Sequence, residues 1–274
     1  MTPVRVAAIQ LCSSNDVDAN LGVIREQLLR AADDGVQLAV LPENCAAFGP
    51  DATRALAPQH LQLRQRFSAM ARKAGLWLLA GTLPLPVRED GEPVPDGRVR
   101  SAALLFDAEG REVGRHDKRH LFDVEVGDAQ GSYRESATFE PGARLAVLDT
   151  PWGGLGVLTC YEIRFPEQAQ RLRQSGAELL VAPSAFTALT GAAHWQVLLR
   201  ARAIETQCLV IGAGQGGVHS PERSTWGHSQ VIDAWGTVLA EQQAMGAGVV
   251  AADWDREAQA DWRARMPVLQ HRRD

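Results

Sequence analysis

Short apolar runs alternate with helical periodicity along the whole chain. Val4–Gln10 is a β-type run, and residues 18–32 carry apolar side chains three or four positions apart, which predicts a helix. Residues 38–41 form a continuous apolar run, typical of a strand covered on both faces. A long helix is predicted over residues 53–74, with Gly75 at its C-terminal end. This alternation indicates an α/β fold.

The same order of predicted elements recurs in the second half. In the first half a strand at 76–80 precedes a Pro- and Gly-rich loop at 84–98 and a hairpin of strands 102–107 and 111–116. The second half has predicted strands at 155–159, 178–182 and 209–212, helices at 166–174 and 194–207, a hairpin of strands 230–233 and 237–240, and a last helix at 255–265.

Two pairs of segments also resemble each other directly. Residues 35–42 match residues 176–183, and both hairpins turn through Asp-Ala-x-Gly, at 107–110 and 233–236. Chance similarity between two buried strands is the alternative, but the repeated order of elements favours an internal repeat. We therefore predict a four-layer α-β-β-α sandwich with a pseudo-twofold repeat of two α-β-β-α halves, in a single domain of residues 1–274.

Composition narrows the class of protein. The 274 residues are 45% hydrophobic and 22% charged, which excludes wholesale disorder. A net charge of −5 argues against a nucleic-acid partner, and no apolar run approaches the ~18 residues of a membrane span. The four cysteines form no C-x-x-C pair and no basic-then-apolar leader is present, so we expect free thiols in the cytoplasm.

Several motifs partly match the patterns of cofactor, metal and serine-hydrolase sites. Residues 212–217 match G-x-G-x-x-G, but a predicted loop follows instead of the helix that a dinucleotide site needs. His116 and His120 have metal-pair spacing, but they lie in a strand-then-loop segment, so we expect solvated or hydrogen-bonded histidines. Ser184 lacks the G-x-S-x-G context of a serine hydrolase. We expect no metal and no organic cofactor.

Three reactive side chains follow predicted strands. Cys160 follows a buried strand and precedes a helix, Glu43 directly follows another buried strand, and Lys118 follows the first hairpin. Each alone is unremarkable: a core thiol, an exposed glutamate and a solvated lysine. Because ligand crevices form at the carboxyl ends of strands, the three together provide a thiol, a carboxylate and an ammonium for acyl transfer.

These residues lie in segments that resemble the nitrilase (carbon–nitrogen hydrolase) superfamily. The resembling segments are Val4–Gln10, 41–44, 117–123, 159–167 and 193–205, of which Cys-Tyr-x-x-Arg-Phe-Pro-Glu is highly specific. Within the superfamily the chain is most similar to the branch of deaminated glutathione amidases, in segments 183–186, 190–195, 200–208 and 269–273. Glu162 replaces the usual aspartate, and we expect altered packing without lost chemistry.

The resemblance implies a role for each residue of the site. Glu43 would be the general base, Lys118 the electrophilic stabiliser and Cys160 the nucleophile. The backbone N–H of Tyr161 would bind the oxyanion together with Lys118. Glu135 matches the family's second glutamate and would position Lys118 and the substrate; a surface-loop charge is its alternative. The implied fold is the same four-layer sandwich.

Further residues are candidates for binding the acyl group. These are Arg164, Phe186 and Thr187. For Arg164, an ion pair with Glu162 or Glu167 is the favoured alternative.

The expected reaction needs groups of the protein and a water molecule, and no cofactor. A neutral Cys160 thiol would lose its proton to Glu43 while attacking a primary carboxamide, ammonia would leave, and water would hydrolyse the thioester. Deaminated glutathione is the expected substrate. The alternatives are an ω-amidase of α-ketoglutaramate, a nitrilase, and a catalytically silent scaffold of the same fold. We also expect a homodimer or larger homo-oligomer, for which Trp195, Trp226 and Trp235 are the candidate contacts.

Overall fold

The structure, a computed structural model, describes residues 3–273 and contains sixteen strands within that range. In chain order the strands are β1 (Val4–Gln10), β2 (Leu38–Val40), β3 (Trp77–Leu85), β4 (Arg100–Phe106), β5 (Glu112–Asp117), β6 (Asp123–Glu125), β7 (Ser132–Arg134), β8 (Val147–Thr150), β9 (Gly153–Val157), β10 (Ala177–Ser184), β11 (Leu209–Gly214), β12 (Gly216–Ser220), β13 (Arg223–Trp226), β14 (Gln230–Ile232), β15 (Val238–Glu241) and β16 (Gly248–Trp254). The helices are α1 (Val17–Asp33), α2 (Pro50–Leu56), α3 (His60–Ala74), α4 (Pro166–Gln174), α5 (Ala188–Thr206) and α6 (Arg256–Arg265).

Two six-stranded sheets have the same topology. The first has the order β16-β1-β2-β3-β4-β5 and the second the order β8-β9-β10-β11-β14-β15. In each, three parallel strands (β1-β2-β3 and β9-β10-β11) are followed by an antiparallel hairpin and preceded by one antiparallel strand. The predicted pseudo-twofold repeat is therefore confirmed, although the outer antiparallel strands β16 and β8 were not predicted.

Apolar packing explains the four layers. Between the sheets, Val6 and Leu79 of the first pack in one cluster with Val181 and Ile211 of the second. Burial of each such side chain contributes about 1.5–3 kcal/mol. The outer faces carry α1 and α3 on the first sheet and α4 and α5 on the second, which completes the predicted α-β-β-α order.

The predicted helix over residues 53–74 is wrong in one respect. It is broken into α2 and α3 by a 3₁₀ turn at Ala57–Gln59, which contains Pro58. Proline lacks the N–H that a continuous helix requires and its ring clashes with the preceding turn. Gly75 ends α3 in the left-handed conformation, with a φ of 65°, as predicted.

The predicted bounds of α5 and β3 also needed correction. Helix α5 begins at Ala188, before the predicted residue 194, because Thr187 caps its N-terminus by accepting a hydrogen bond from the Thr190 N–H at 3.1 Å. Strand β3 continues to Leu85, into the predicted loop, by pairing with β4 beyond the end of β2.

The two sheets are joined at the edge where their central strands end. Leu11, just after β1, forms an isolated bridge with Gln215, just after β11, and its carbonyl accepts the Gly216 N–H at 2.7 Å. The carboxyl ends of parallel strands from both sheets therefore meet at this edge, where an α/β fold places its ligands. In the range 3–273, the structure has no helix both long and apolar enough to cross a membrane.

Candidate active site

Glu43 lies in the turn that follows β2 and is almost fully buried. Its carbonyl accepts a hydrogen bond from the Gln215 side chain at 3.0 Å, and the next N–H, of Asn44, donates to Thr82 Oγ1 at 2.9 Å. Gly81 of β3 passes directly beneath, where a Cβ would lie 2.0 Å from the Pro42 carbonyl oxygen. Only glycine permits this close approach, which holds the Glu43 turn against the sheet.

Lys118 directly follows β5 and is 1% exposed. Its Nζ donates to Glu43 Oε1 at 2.7 Å and to the two carboxylate oxygens of Glu135 at 2.7 and 2.8 Å. Burial by itself lowers the pKa of Lys118, but the charges of Glu135 and Glu43 outweigh it and raise that pKa. Lys118 is therefore an ammonium at neutral pH, held between two carboxylates.

Glu135 lies in the 3₁₀ turn that follows β7. Its carboxylate accepts the Phe122 N–H at 2.6 Å as well as the two bonds from Lys118. Burial and the charge of Glu43 raise the pKa of Glu135, although Lys118 opposes them. The structure thus joins Glu135 to Lys118 and does not place it as a surface-loop charge.

Cys160 begins the 3₁₀ turn Cys160–Arg164, with a φ of 50° in the left-handed region. A non-glycine residue there costs of order 1–3 kcal/mol, and such strain occurs mainly at functional sites. Sγ accepts the Ala185 N–H at 3.5 Å. Burial and the charge of Glu43 raise the pKa of the Cys160 thiol more than Lys118 lowers it, so the resting thiol is neutral.

Tyr161 is the second residue of the same 3₁₀ turn. The first N–H groups of such a turn have no acceptor within it, so the Tyr161 N–H is available to a ligand bound at Cys160. The Tyr161 ring packs edge-on against Phe122 and Phe165, with centroids 5.2 and 5.3 Å apart. These contacts hold the turn in place.

Glu162 connects the cysteine and lysine segments. Its buried carboxylate accepts the Thr159 N–H at 2.7 Å, next to Cys160, and the Arg119 N–H at 2.8 Å, next to Lys118. It also lies 2.8 Å from His116 Nε2. Burial raises the pKa of Glu162, but the interaction with His116 outweighs it and lowers that pKa to about 2. His116 is thus hydrogen-bonded, as predicted.

One cavity of about 490 Å³ contains every side chain that the sequence predicts for the site. Its lining includes Glu43, Lys118, Glu135, Cys160, Tyr161, Arg164, Phe186 and Thr187. The volume lies in the range of pockets that enclose ligands considerably larger than a simple amide. A substrate in this cavity would contact the thiol, the ammonium and both carboxylates together.

The favoured alternative for Arg164 is wrong. Arg164, Glu162 and Glu167 are all described by the structure, and no ion pair joins Arg164 to either glutamate. Its guanidinium lies instead 5.0 Å from the Phe186 ring centroid and 3.2 Å from His194 Nδ1, in the cavity wall. Glu162 is engaged by His116 and two backbone N–H groups, so it is not available to Arg164.

Sequence reasoning missed the wall formed by the β12–β13 hairpin. Arg223 of β13 and His219 of β12 line the cavity, beside Phe48 and Tyr133. His219 stacks on Phe48 with centroids 3.7 Å apart, and burial lowers its pKa to about 4. Tyr133 stands two residues before Glu135, which was a usable signal, whereas nothing local marks Arg223 or Phe48.

Comparison with known proteins identifies the family. The family model described as "Carbon-nitrogen hydrolase" matches residues 5–264. The chain belongs to the carbon–nitrogen hydrolase family. It is therefore a hydrolase of carbon–nitrogen bonds other than peptide bonds, as the resemblance to the nitrilase superfamily predicts. Its Cys160, Glu43 and Lys118 line the same cavity of about 490 Å³ at the joined edge of the two sheets.

Several curated relatives of this carbon–nitrogen hydrolase share the name deaminated glutathione amidase. The deaminated glutathione amidase of Yersinia enterocolitica is 43% identical, over 100% of this chain and 94% of that protein. The human protein of the same name is 40% identical, over 98% of this chain and 82% of that protein.

Solved structures share the fold. The NitFhit protein of C. elegans superimposes with a TM-score of 0.89 at 34% identity, covering 99% of this chain and 65% of that chain. An amidase from Nesterenkonia sp. AN1, described with a covalent adduct at its active-site cysteine, has a TM-score of 0.81 at 27% identity, over 98% of this chain and 94% of that chain. The mixed α/β sandwich is thus shared with nitrilase-superfamily enzymes.

Proposed function

We propose that this carbon–nitrogen hydrolase is a thiol amidase in which Cys160 is the nucleophile, Glu43 the general base and Lys118 the stabiliser of the oxyanion. The observation that carries the proposal is the position of Lys118 Nζ, 2.7 Å from Glu43 and from Glu135, in the wall that also contains Cys160. An ammonium, a carboxylate and a thiol in one cavity are sufficient for acyl transfer without a metal or organic cofactor.

The first half-reaction forms a thioester. Glu43 takes the proton of the neutral Cys160 thiol while Sγ attacks the amide carbon, and the carbonyl electron pair moves onto oxygen. The Lys118 ammonium and the Tyr161 N–H stabilise that oxyanion; losing one such donor costs about 3–4 kcal/mol of barrier. The oxyanion then re-forms the carbonyl, the C–N bond breaks, and protonated Glu43 gives its proton to the leaving nitrogen.

The second half-reaction releases the acid. Glu43 takes a proton from a water molecule as that water attacks the thioester carbon. The tetrahedral intermediate uses the same two donors, Lys118 and the Tyr161 N–H. Its collapse breaks the C–S bond, returns the proton to sulfur and releases a carboxylic acid. Glu135 positions Lys118 through the two hydrogen bonds between them.

We propose deaminated glutathione as the substrate. Two relatives with that activity in their names are 43% and 40% identical over 98% or more of this chain. The cavity of about 490 Å³ suits a ligand of that size, and Arg164, with Phe186 and Thr187 nearby in the wall, supplies a cation for the α-keto acid.

The chemistry of this substrate changes one expectation. The amide of deaminated glutathione joins the acyl group to the cysteine nitrogen, so it is secondary and not a primary carboxamide. The leaving group is the amine of cysteinylglycine, and ammonia is not formed. Ammonia is the product only from α-ketoglutaramate, the substrate of the ω-amidase alternative.

The test compares specificity constants on substrates with the same acyl group. The wild type is expected to have a higher kcat/KM on deaminated glutathione than on α-ketoglutaramate, because binding of the remote dipeptide lowers the barrier. Release of 2-oxoglutarate measures both reactions. A ratio well below one would assign an ω-amidase. Hydrolysis of the matching nitrile but not the amides would assign a nitrilase, and absence of turnover with no preferential alkylation of Cys160 would assign a scaffold.

We also propose that the protein is a single-domain homo-oligomer located in the cytoplasm. Residues 1, 2 and 274 of the expected domain lie outside the described residues. Trp195 is core and Trp226 is half-buried, so of the three tryptophans Trp235 is the exposed candidate. Large apolar side chains also stand exposed along α5, at Leu189, Val197 and Ile204. Such a stripe is typical of an interface.

The oligomer has its own test. Val197→Glu, which places a charge in the exposed stripe of α5, is expected to give monomers in sedimentation at micromolar concentration. Val218→Glu is the control, since Val218 is also highly exposed but lies on β12. A wild-type monomer would contradict the proposal.

A further inference from the structure

We propose that Arg223 is the specificity-determining residue that binds the terminal carboxylate of the leaving group. This rests on the proposed amidase function and extends it to the substrate's far end. Arg223 opens β13, in the hairpin that the chain forms between β11 and β14; this hairpin is a separate two-stranded sheet, since β11 and β14 pair directly with each other. At the matching place in the first sheet, between β3 and β4, the chain also turns back on itself, with an antiparallel bridge between Val87 and Pro93. Its Arg88 is paired with Glu140 at 2.6 Å, so the repeat does not account for the unpaired Arg223.

The guanidinium of Arg223 is held in one orientation. Nη1 donates to the Tyr133 hydroxyl at 3.0 Å and Nη2 to the Ala185 carbonyl at 2.9 Å. The central carbon lies 5.0 Å from the Tyr133 ring centroid and 5.7 Å from that of Phe48, so the group is placed between two aromatic rings. A guanidinium has five N–H donors, and these contacts leave three for a ligand.

Its charge has no carboxylate partner. Among residues 3–273, Arg223 forms no ion pair; Asp128 reaches it only through the Tyr133 hydroxyl, which donates to Asp128 at 2.7 Å. Arg134, another arginine of the same cavity, is paired with Glu125 at 3.5 Å. An oriented, half-buried guanidinium without a counter-ion is the arrangement that recognises a carboxylate with two parallel hydrogen bonds.

The distance to the thiol suits a dipeptide. The Ala185 N–H donates to Cys160 Sγ at 3.5 Å, and the carbonyl of the same residue accepts from Arg223 at 2.9 Å. The guanidinium therefore lies within about 10 Å of the sulfur. An extended dipeptide spans about 7 Å, so its terminal carboxylate reaches Arg223 when its amide nitrogen is at the reacting carbon.

The neighbours of Arg223 place it on the leaving-group side. Phe48 belongs to the segment that follows Glu43, and Glu43 gives the proton to the leaving nitrogen in the proposed reaction. Arg164 lies against a different part of the wall, over Tyr161 and Phe186. The two arginines then bind the two carboxylates of deaminated glutathione, Arg164 on the acyl side and Arg223 on the glycine side. α-Ketoglutaramate has only the first carboxylate.

The test is a ratio of specificity constants. In Arg223→Gln, the ratio of kcat/KM for deaminated glutathione to kcat/KM for α-ketoglutaramate is expected to fall tenfold or more, about the effect of losing a hydrogen-bonded charge. The ratio for Arg223→Lys is expected to lie between those of the wild type and Arg223→Gln, because lysine keeps the positive charge but lacks the two parallel N–H donors of the guanidinium. Arg134→Gln is the matched control in the same cavity and should leave the ratio within about twofold.

A second measurement does not depend on turnover. Alkylation of Cys160 by iodoacetamide is followed in the presence of alanylglycine or alanylglycinamide, which differ only in the terminal carboxylate. In the wild type the carboxylate form is expected to protect at about tenfold lower concentration, and in Arg223→Gln the two should protect alike. This readout remains valid even if deaminated glutathione is not hydrolysed, so failure of the proposed function is recognised separately.

Two outcomes would overturn the assignment to Arg223. One is an equal loss on both substrates in Arg223→Gln, which would place Arg223 on the acyl group. The other is equal protection of wild-type Cys160 by the acid and the amide, which would show that no carboxylate is bound there.

Discussion

At matching strand ends, the two halves of the sandwich carry different side chains. In the first half Pro42 is followed by Glu43, whereas in the second half Pro183 is followed by Ser184. Glu43 contacts Lys118 in the cavity, whereas the Ser184 hydroxyl donates to the Ala182 carbonyl of its own strand at 3.2 Å. The two halves therefore share the backbone at this strand end, but only the first half places a reactive side chain there.

For the nucleophile the halves are reversed, since the reactive side chain lies in the second half and an inert one in the first. Cys160 follows β9 in the second half, while the residue after β1 in the first half is Leu11, a core side chain. Because Leu11 and Gln215 join the two sheets at this edge, side chains from both halves enter one cavity. A duplicated fold thus builds one site by dividing thiol and carboxylate between its halves.

The largest expected effect is at the second-half cysteine. Cys160→Ala should lower turnover by about five to six powers of ten, since it removes the nucleophile, with little effect on folding. Release of 2-oxoglutarate measures turnover and circular dichroism the fold. Cys208→Ala is the control, because Cys208 is also buried in the same half and does not line the cavity. Loss of activity in Cys208→Ala with full activity in Cys160→Ala would contradict the division of roles.

The next effect is at the first-half carboxylate. Glu43→Gln should slow thioester formation by about a thousandfold, because the amide cannot accept the thiol proton. Rapid-quench mass spectrometry of the Cys160 adduct follows this step. The control is Ser184→Ala, which changes the matching strand end of the other half and should stay within about threefold of wild type. A near wild-type rate in Glu43→Gln would move the role of base to another group, with His116 and His120 as candidates.

A smaller effect is expected at Glu162, which connects the segments that carry Cys160 and Lys118. Glu162→Gln should lower the free energy of unfolding by about 3–5 kcal/mol, since it breaks a buried pair with His116. Urea denaturation measures the difference. Glu26→Gln is the control: Glu26 pairs with Arg30 on an exposed helix face, and its loss should cost under about 1 kcal/mol. Equal losses would show that Glu162 does not connect the segments.

The pH dependence of that difference follows from two pKa shifts. The pKa of His116 is raised, because Glu162 outweighs its burial, so its contribution is fully present below about pH 6.5 and fades as pH rises through the folded value. The pKa of Glu162 is lowered to about 2, so its contribution is present above about pH 4.3 and fades as pH falls. The stability difference between wild type and Glu162→Gln should therefore be largest between about pH 5 and 6. A difference that increases steadily to pH 9 would contradict this.

Local signals determined much of this protein. The apolar runs, the Asp-Ala-x-Gly turns and Gly75 predicted ten of the twelve strands of the two sheets, the β4–β5 and β14–β15 hairpins and the end of α3, because each depends on neighbours within a few residues. The repeat of segments 35–42 and 176–183 predicted the pseudo-twofold sandwich. Glu43, Lys118 and Cys160 were found because each stands within three residues of the end of a strand.

Tertiary structure alone decided the partners of these groups. Glu162 bonds Arg119 and His116, more than forty residues away, and so leaves Arg164 to the cavity. Arg223 meets Tyr133 across 90 residues of sequence. Such contacts depend on how two sheets and their insertions pack, and no short-range period or propensity encodes them. The sequence therefore determined the secondary-structure elements and the reactive groups, whereas tertiary packing decided which arginine side chains remain unpaired in the cavity and available to a substrate.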